Sequence, residues 1–211
     1  MNKLVEKLRE DDFPVLFKYN DLSQTDLEKE MIKIYFDDAI KNNYVNNVYG
    51  DIYTLSLKYR KSFVSGEVLA QMIMPDTYVS MKFVLYIENW IPEAIYTVTS
   101  VTGKNEALID THGYGSYKYQ KVYDRFIKEG IYEEEDDNGK YMIAKPLRAL
   151  CDYACYWEQK WDSVFSLEQS IRAERKHIEE LISDDFDELQ GKFGIANVEN
   201  MLDGIRKDLR V

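Results

Sequence analysis

Between Tyr78 and Val101 the chain reads YVSMKFVLYIENWIPEAIYTVTSV, and this stretch limits the possible folds more than any other. Val79, Phe83, Tyr86 and Ile87 recur at spacings of three and four, which predicts a helix with one apolar face. Trp90-Ile91-Pro92 should end it, because proline lacks an N–H and biases the residue before it away from the α region. Ala94 to Val101 is β-branched and aromatic and stops at Thr102-Gly103-Lys104, the pattern of a buried strand followed by a turn. A helix and a strand this close together cannot bury both apolar faces alone, so neighbouring segments must complete the core.

The 211 residues, 45% hydrophobic and 31% charged, suffice for one sizeable core or for a small domain followed by a larger one. The formal net charge of −11 means that nucleic acid is not attracted to the protein as a whole; any such contact needs a local basic patch. Met1 to Glu10 is charged and amphipathic, without the apolar run of a secretory signal. No apolar run approaches the roughly 20 residues that span a bilayer, so no membrane association and a cytoplasmic location are expected. Cys151 and Cys155 lie one helical turn apart and read as small core residues, since no further cysteine accompanies them and neither histidine is near.

Asn2 to Glu10 reads as a short helix, and Val15-Leu16-Phe17 as a short strand or the start of a second helix. Thr25 and Glu28 have capping-box spacing and predict a helix to about Asn42, with Leu27, Met31, Ile34, Tyr35 and Ala39 inward. Tyr44 to Leu57 reads as a hairpin turning near Gly50. Helices followed by a hairpin within about 60 residues match a winged helix-turn-helix, in which the helix before the hairpin enters the major groove. Lys58-Tyr59-Arg60-Lys61-Ser62 is a short basic hinge, either a phosphate contact or a solvated linker.

Ser65 or Gly66 should open a helix that Pro75 stops. Beyond Gly103 the pattern predicts an antiparallel meander: a strand from Glu106 to Thr111, a turn from His112 to Gly115, and a strand from Ser116 to Val122. A last hairpin follows, Ile131–Glu135 and Tyr141–Ala144, in which Asn138-Gly139 suits a primed turn. The acidic run from Glu133 to Asp137 reads as its solvated tip. Pro146 suits the first turn of a helix with Leu147, Leu150, Cys151 and Ala154 buried. Ser166 with Gln169 predicts a helix through about Ile182, and Phe186–Leu189 and Ile195–Leu209 are the last helical pieces.

Two segments carry a family resemblance. YVS, a helix and then IPEAIYTVTSVTGK resemble the central segment of the AbiEi family of abortive-infection antitoxins, and Ile143 to Asp152 resembles that family's later A-T-P-E-K-A-L-L-D helix start. Gly50-Asp51-Ile52-Tyr53 is similar to the G-x-Y element that often ends the family's wing, with one extra residue. The resemblance covers roughly Tyr44 to Asp152, more weakly Asp185–Leu189 and beyond. It departs from the family at Asn89-Trp90, where Gly-Leu is usual, and at Lys145-Pro146-Leu147-Arg148, where Thr-Pro-Glu-Lys is usual. It implies an N-terminal domain that binds operator DNA of its own operon, and a C-terminal domain that counters a nucleotidyltransferase-like toxin.

No residues for catalysis stand out. Gly113-Tyr114-Gly115 lacks the spacing of a phosphate loop, and no serine sits in a G-x-S-x-G elbow. His112 in a turn and His177 on a charged helix read as ordinary surface histidines. Asp110 lies on a predicted strand without an acid-x-Lys on the next. Glu158-Gln159-Lys160 and Glu174-Arg175-Lys176 have that spacing only on predicted helices, where acid and lysine diverge.

The expectation is therefore an α+β protein: a winged helix-turn-helix over 1–60, then a mixed domain over 61–211 with an antiparallel sheet and C-terminal helices. No enzyme, cofactor or metal is expected. Candidate DNA-contacting residues are Lys18, Lys29, Lys33, Lys41, Asn46, Asn47, Lys58, Arg60 and Lys61. The acids Glu28, Glu30, Asp37 and Asp38 on the same helix weigh against DNA. They leave open a second reading, an acidic interaction module whose winged helix no longer binds nucleic acid.

Overall fold

Asn2 both starts the first helix and fastens it. Its Oδ1 accepts from the N–H groups of Leu4 and Val5 at 2.9 and 3.3 Å, capping α1 (Lys3–Glu10). Its Nδ2 donates to Tyr35 O and Asp38 Oδ2 at 2.9 and 2.7 Å, on the second helix, α2 (Lys29–Lys41). The computed structural model describes residues 2–111, 113–123 and 127–211. It divides into two units: Met1–Pro75 with Asp110–Gly115 and Glu135–Tyr141, and Asp76–Ile109 with Ser116–Glu134 and Met142–Val211.

In the first unit α1 is followed by β1 (Leu16–Lys18), a 3₁₀ helix (Tyr19–Gln24), α2, β2 (Val45–Tyr49) and β3 (Ile52–Leu55). The strands form an antiparallel sheet in the order β1-β3-β2, with Leu16 opposite Thr54 and Val45 opposite Leu55. The hairpin turns where expected, and Gly50 takes φ +53°, a conformation that costs a glycine nothing. The Thr25–Glu28 capping box does not form. Thr25 Oγ1 donates instead to Leu22 O at 2.7 Å, closing the 3₁₀ helix, and α2 begins four residues later.

The inward stripe of α2 is also corrected: Ile32, Phe36 and Ala39 are buried, whereas Ile34 is 57% exposed. Two overlapping apolar stripes exist on this helix. The one that wins places Phe36 edge-on to Tyr53 and Tyr19, each 5.0 Å away. Asn43, at φ +54°, ends the helix in the left-handed conformation. The last element is α3 (Gly66–Ile73), capped as expected by Ser65, whose Oγ accepts from Val68 N at 3.3 Å.

The second unit holds most of a six-stranded sheet ordered β6-β7-β5-β4-β9-β8; the last residue of β6, the end of β8 and the start of β9 count with the first unit. The strands of this sheet are β4 (Thr77–Val79), β5 (Thr97–Thr102), β6 (Ala107–Asp110), β7 (Ser116–Lys121), β8 (Ile131–Asp136) and β9 (Gly139–Ala144). The expected antiparallel meander is overturned, because the sheet is mixed. β4 and β5 are antiparallel, but β5 pairs β7 in parallel, Thr97 opposite Ser116, and β4 pairs β9 in parallel at Val79–Ile143. The chain leaves β5, runs down the outer edge as β6 and returns between them as β7, so two consecutive turns still give parallel neighbours. Hydrophobic alternation assigns faces, not neighbours.

Tyr78 and Val79 belong to β4 rather than to the helix predicted over them; α4 spans Met81–Ile87. Its stop is set one residue before Trp90. Asn89 takes φ +60° and Trp90 N donates to Leu85 O at 2.7 Å, a left-handed cap. At β8–β9, Asp137-Asn138 form the turn, and of the expected Asn138-Gly139 pair only Gly139 has positive φ, +136°. The helices α5 (Pro146–Tyr156), α6 (Val164–Ile171), α7 (Arg175–Ile178), α8 (Ser183–Leu189) and α9 (Ala196–Leu209) complete the unit. The single helix predicted from Ser166 to Ile182 is two. Ser163 caps α6, and Arg172 at φ +55° breaks it. Glu158–Lys160 lies beyond α5, in a turn and coil, not on a helix.

Candidate functional site

The sequence-predicted nucleic-acid residues fall in two places within the first unit. Lys29, Lys33 and Lys41 are exposed along α2 and make no ion pair among the described residues. The acids Glu30, Asp37 and Asp38 are exposed on the same helix, and Glu28 is exposed at its cap. Asp38 is engaged structurally, accepting from Asn2 and from Asn42 Nδ2, the latter at 2.8 Å. Lys18 ends β1, and its Nζ sits 3.5 Å from Asp51 Oδ1 in the hairpin turn. Asn47 spends its amide on that turn, donating to Gly50 O and Ile52 O at 2.8 and 3.3 Å, and Asn46 donates to the Tyr114 hydroxyl at 3.2 Å. The two asparagines therefore hold local structure with the amides that were to reach outward.

Lys58, Arg60 and Lys61 gather at the opposite end of the small sheet. They flank a cleft of about 250 Å³ whose floor includes Leu8, Phe13, Phe17 and Leu55, with Arg9 and Asp12 also lining it. Lys61 Nζ is held by Asp12, 2.7 Å from Oδ1. Lys58 lies 5.4 Å over the Tyr59 ring. Arg60 lies 6.0 Å over the Tyr114 ring, and its Nε is shielded from solvent without a hydrogen-bond acceptor. Sheet register puts three residues, about 10 Å, between Leu55 at this end and Ile52 at the turn. The nine candidates are thus not one patch.

The second unit hides a charge pair that sequence reasoning missed. Arg148 and Asp152 are both 0% exposed. Arg148 Nε donates to Asp152 Oδ1 at 2.9 Å, Nη2 to the Tyr78 hydroxyl at 2.7 Å, and Nη1 to Ile127 O and Glu129 O at 3.2 and 2.5 Å. Asp152 accepts in addition from Ser80 Oγ at 2.6 Å and from the Tyr123 hydroxyl at 2.8 Å. The guanidinium also sits 5.2 to 5.3 Å from the rings of Tyr78, Tyr123 and Phe193.

Burial opposes the charge on Arg148, but Asp152 more than offsets it and raises the pKa. Burial, then Asp152, pushes both tyrosine hydroxyls well above their ordinary range, so they stay protonated donors. With so many partners met, the cluster can clamp α5 to the strands but offers no open position to a substrate. The available signal was the i, i+4 spacing of Arg148 and Asp152 beside the buried stripe of α5.

Cys151 is buried, and Cys155 Sγ faces Val122 O at 3.7 Å. Burial pushes both thiols up, that of Cys155 to about 11, so neither is an activated thiolate. His177 is half-buried, stacked on Trp90 with ring centroids 6.5 Å apart, rather than an open surface residue. The expectation for His112 lies outside the described residues. Among the described residues no group of three His, Cys, Asp or Glu side chains could hold a metal ion, and no helix is long and apolar enough to cross a membrane.

One further feature is superficial. Trp157, at the end of α5, is 50% exposed, with Lys118 Nζ 5.5 Å from its ring and 5.9 Å from that of Tyr156. Such amphipathic side chains at a surface are enriched where proteins meet partners. No protein-family model matches the chain, and neither does any curated protein.

Proposed function

We propose that the chain is an AbiEi-like antitoxin that represses its own operon, with a winged helix in the first unit and a toxin-countering second unit. The observation that carries this reading is the connectivity of the first unit: helix, strand, short 3₁₀ helix, helix, hairpin, with strand order β1-β3-β2. That order supports a winged helix-turn-helix in which the 3₁₀ helix takes the place of the second helix and α2 serves as the recognition helix. The departures from the family motif are conformationally mild. Asn89 takes a left-handed φ of +60°, a conformation that glycine adopts without cost, and Pro146 stands in the first turn of α5.

In this reading Lys29, Lys33 and Lys41 contact phosphates, and the exposed Trp157 face is where the toxin binds. The test of the first half is a gel shift with DNA upstream of the chain's own reading frame, over a range of salt. Binding that weakens with salt, and that Lys33→Glu with Lys41→Glu weakens about tenfold or more, supports it. The toxin half is tested by co-expression with an adjacent nucleotidyltransferase-like protein. Growth arrest relieved by this chain but not by its Trp157→Ala variant supports it; arrest that the chain does not relieve overturns it.

A specific observation favours a second reading, an interaction module without DNA binding. Three exposed acids on α2, with Glu28 at its cap, accompany the three lysines, Asp51 neutralises Lys18 at the hairpin turn, and both asparagine amides are occupied. No gel shift even at low salt, unchanged by the two charge reversals, would decide for it.

A further inference from the structure

The cleft at the Leu55 end of the first unit combines an apolar floor with a basic mouth in a protein of net charge −11. Four cations and one acid line it, and that acid, Asp12, is already taken by Lys61. Arg60 is the exceptional group. The described residues give its guanidinium no carboxylate and no hydrogen bond, only the Tyr114 ring, and its Nε N–H is withdrawn from water with nothing to donate to. Buried N–H groups are nearly always satisfied, so this unmet donor shows that the protein supplies Arg60 with no acceptor of its own, and the rest of its guanidinium is left to a ligand in the cleft. Lys58 adds a second cation without a carboxylate partner, held over Tyr59.

We infer that this cleft binds an apolar body ending in a single carboxylate, the body on Phe13, Pro14 and Tyr59 and the carboxylate at Arg60 and Lys58. Arginine presents two parallel donors to a carboxylate, and the apolar floor rejects a heavily charged ligand. A volume of about 250 Å³ suits a small aryl or alkyl acid rather than a dinucleotide. The same chemistry occurs in a free acid and at the end of a peptide chain. The site does not rest on the antitoxin reading, since binding is measured on the full chain without DNA or toxin.

The probes are 4-phenylbutyrate, its neutral counterpart 4-phenylbutanol, and acetyl-Gly-Gly-Phe with a free carboxyl end, followed by amide NMR titration. Saturable binding of either acid is expected, with shifts at Leu8, Tyr59 and Arg60, and the tighter acid identifies the source. The alcohol should bind about tenfold more weakly, and Arg60→Gln should lose a similar factor while Arg60→Lys loses less. If Arg60→Gln does not fold, Lys58→Gln, at an exposed position, supplies the weakened variant. No saturable binding of either acid up to about 10 mM would overturn the proposal. So would equal affinity for the alcohol, or undiminished binding in folded variants.

Discussion

Arg60 and Arg148 are two arginines over tyrosine rings, and they differ in nearly everything that sets what an arginine does. Arg148 in the second unit is fully buried and every nitrogen of its guanidinium has a protein acceptor or hydroxyl partner. Arg60 in the first unit borders a cleft, and among the described residues its guanidinium is met only by the Tyr114 ring. Complete satisfaction turns a charge into architecture, whereas an unmet donor leaves recognition chemistry to spare. The second unit encloses this one charge pair, whereas the first leaves Arg60 at the border of a cleft.

The sharpest way to break this comparison is to remove each arginine. Arg148→Met should destabilise the protein by about 3–5 kcal/mol in urea unfolding, because Asp152 is left buried and uncompensated. Arg148→Met combined with Asp152→Leu should recover much of that loss. Arg60→Met should change stability by less than about 1 kcal/mol. Equal losses at the two positions would end the distinction.

The next effect tests how tightly the second unit closes on its clamp. Gly130 has φ +73°, and a Cβ there would lie 2.8 Å from both Arg148 Cβ and Leu189 Cδ2. Gly130→Ala should cost about 1–3 kcal/mol by strain and crowding, read as a lowered urea midpoint. A variant as stable as the parent would show that the segment carrying Gly130 yields.

At the surface of the first unit the expected change in stability is smaller. Lys33→Glu with Lys41→Glu should move stability by no more than about 0.5 kcal/mol, so any altered binding belongs to the surface and not to unfolding.

The smallest effect concerns Glu188, which accepts from Lys145 Nζ at 2.7 Å and from Gly130 N at 3.0 Å. Burial raises its pKa, but these two bonds outweigh burial and hold the carboxyl below the usual 4.5. A depressed folded pKa gives stability that is present above 4.5 and is lost as pH falls through the folded value. Glu188→Gln should therefore unfold at slightly lower urea than the parent at pH 7, and the difference should shrink by about pH 3. A difference that grows in acid would contradict the sign.

The local elements with their own chemistry were legible in the sequence: the Ser65 cap, the Gly50 hairpin and the Pro146 start of α5 each use a residue whose conformational preference acts within a few positions. Legibility failed where two local solutions competed. Thr25 had capping spacing but its hydroxyl closed a 3₁₀ helix, and α2 offered two apolar stripes of which Ile32, Phe36 and Ala39 won by packing. Of the candidate DNA residues, the sequence identified exposed lysines correctly as charges. It carried no information that Asn46 and Asn47 would be spent on Tyr114 and the hairpin turn, or that Lys58–Lys61 would line a cleft.

What this sequence determined by itself is the approximate place of most helices and strands and a few caps and turns, such as Ser65, Gly50 and Pro146, because those depend on backbone preferences over a few residues. Only the tertiary structure decided that β7 returns beside β5 and β9 beside β4, and that Arg148 meets Tyr78 and Tyr123 in the interior. The physical reason is one of range. Strand neighbours and the desolvation of a charge depend on what residues tens of positions away bring to the same place, and no window of sequence contains both partners.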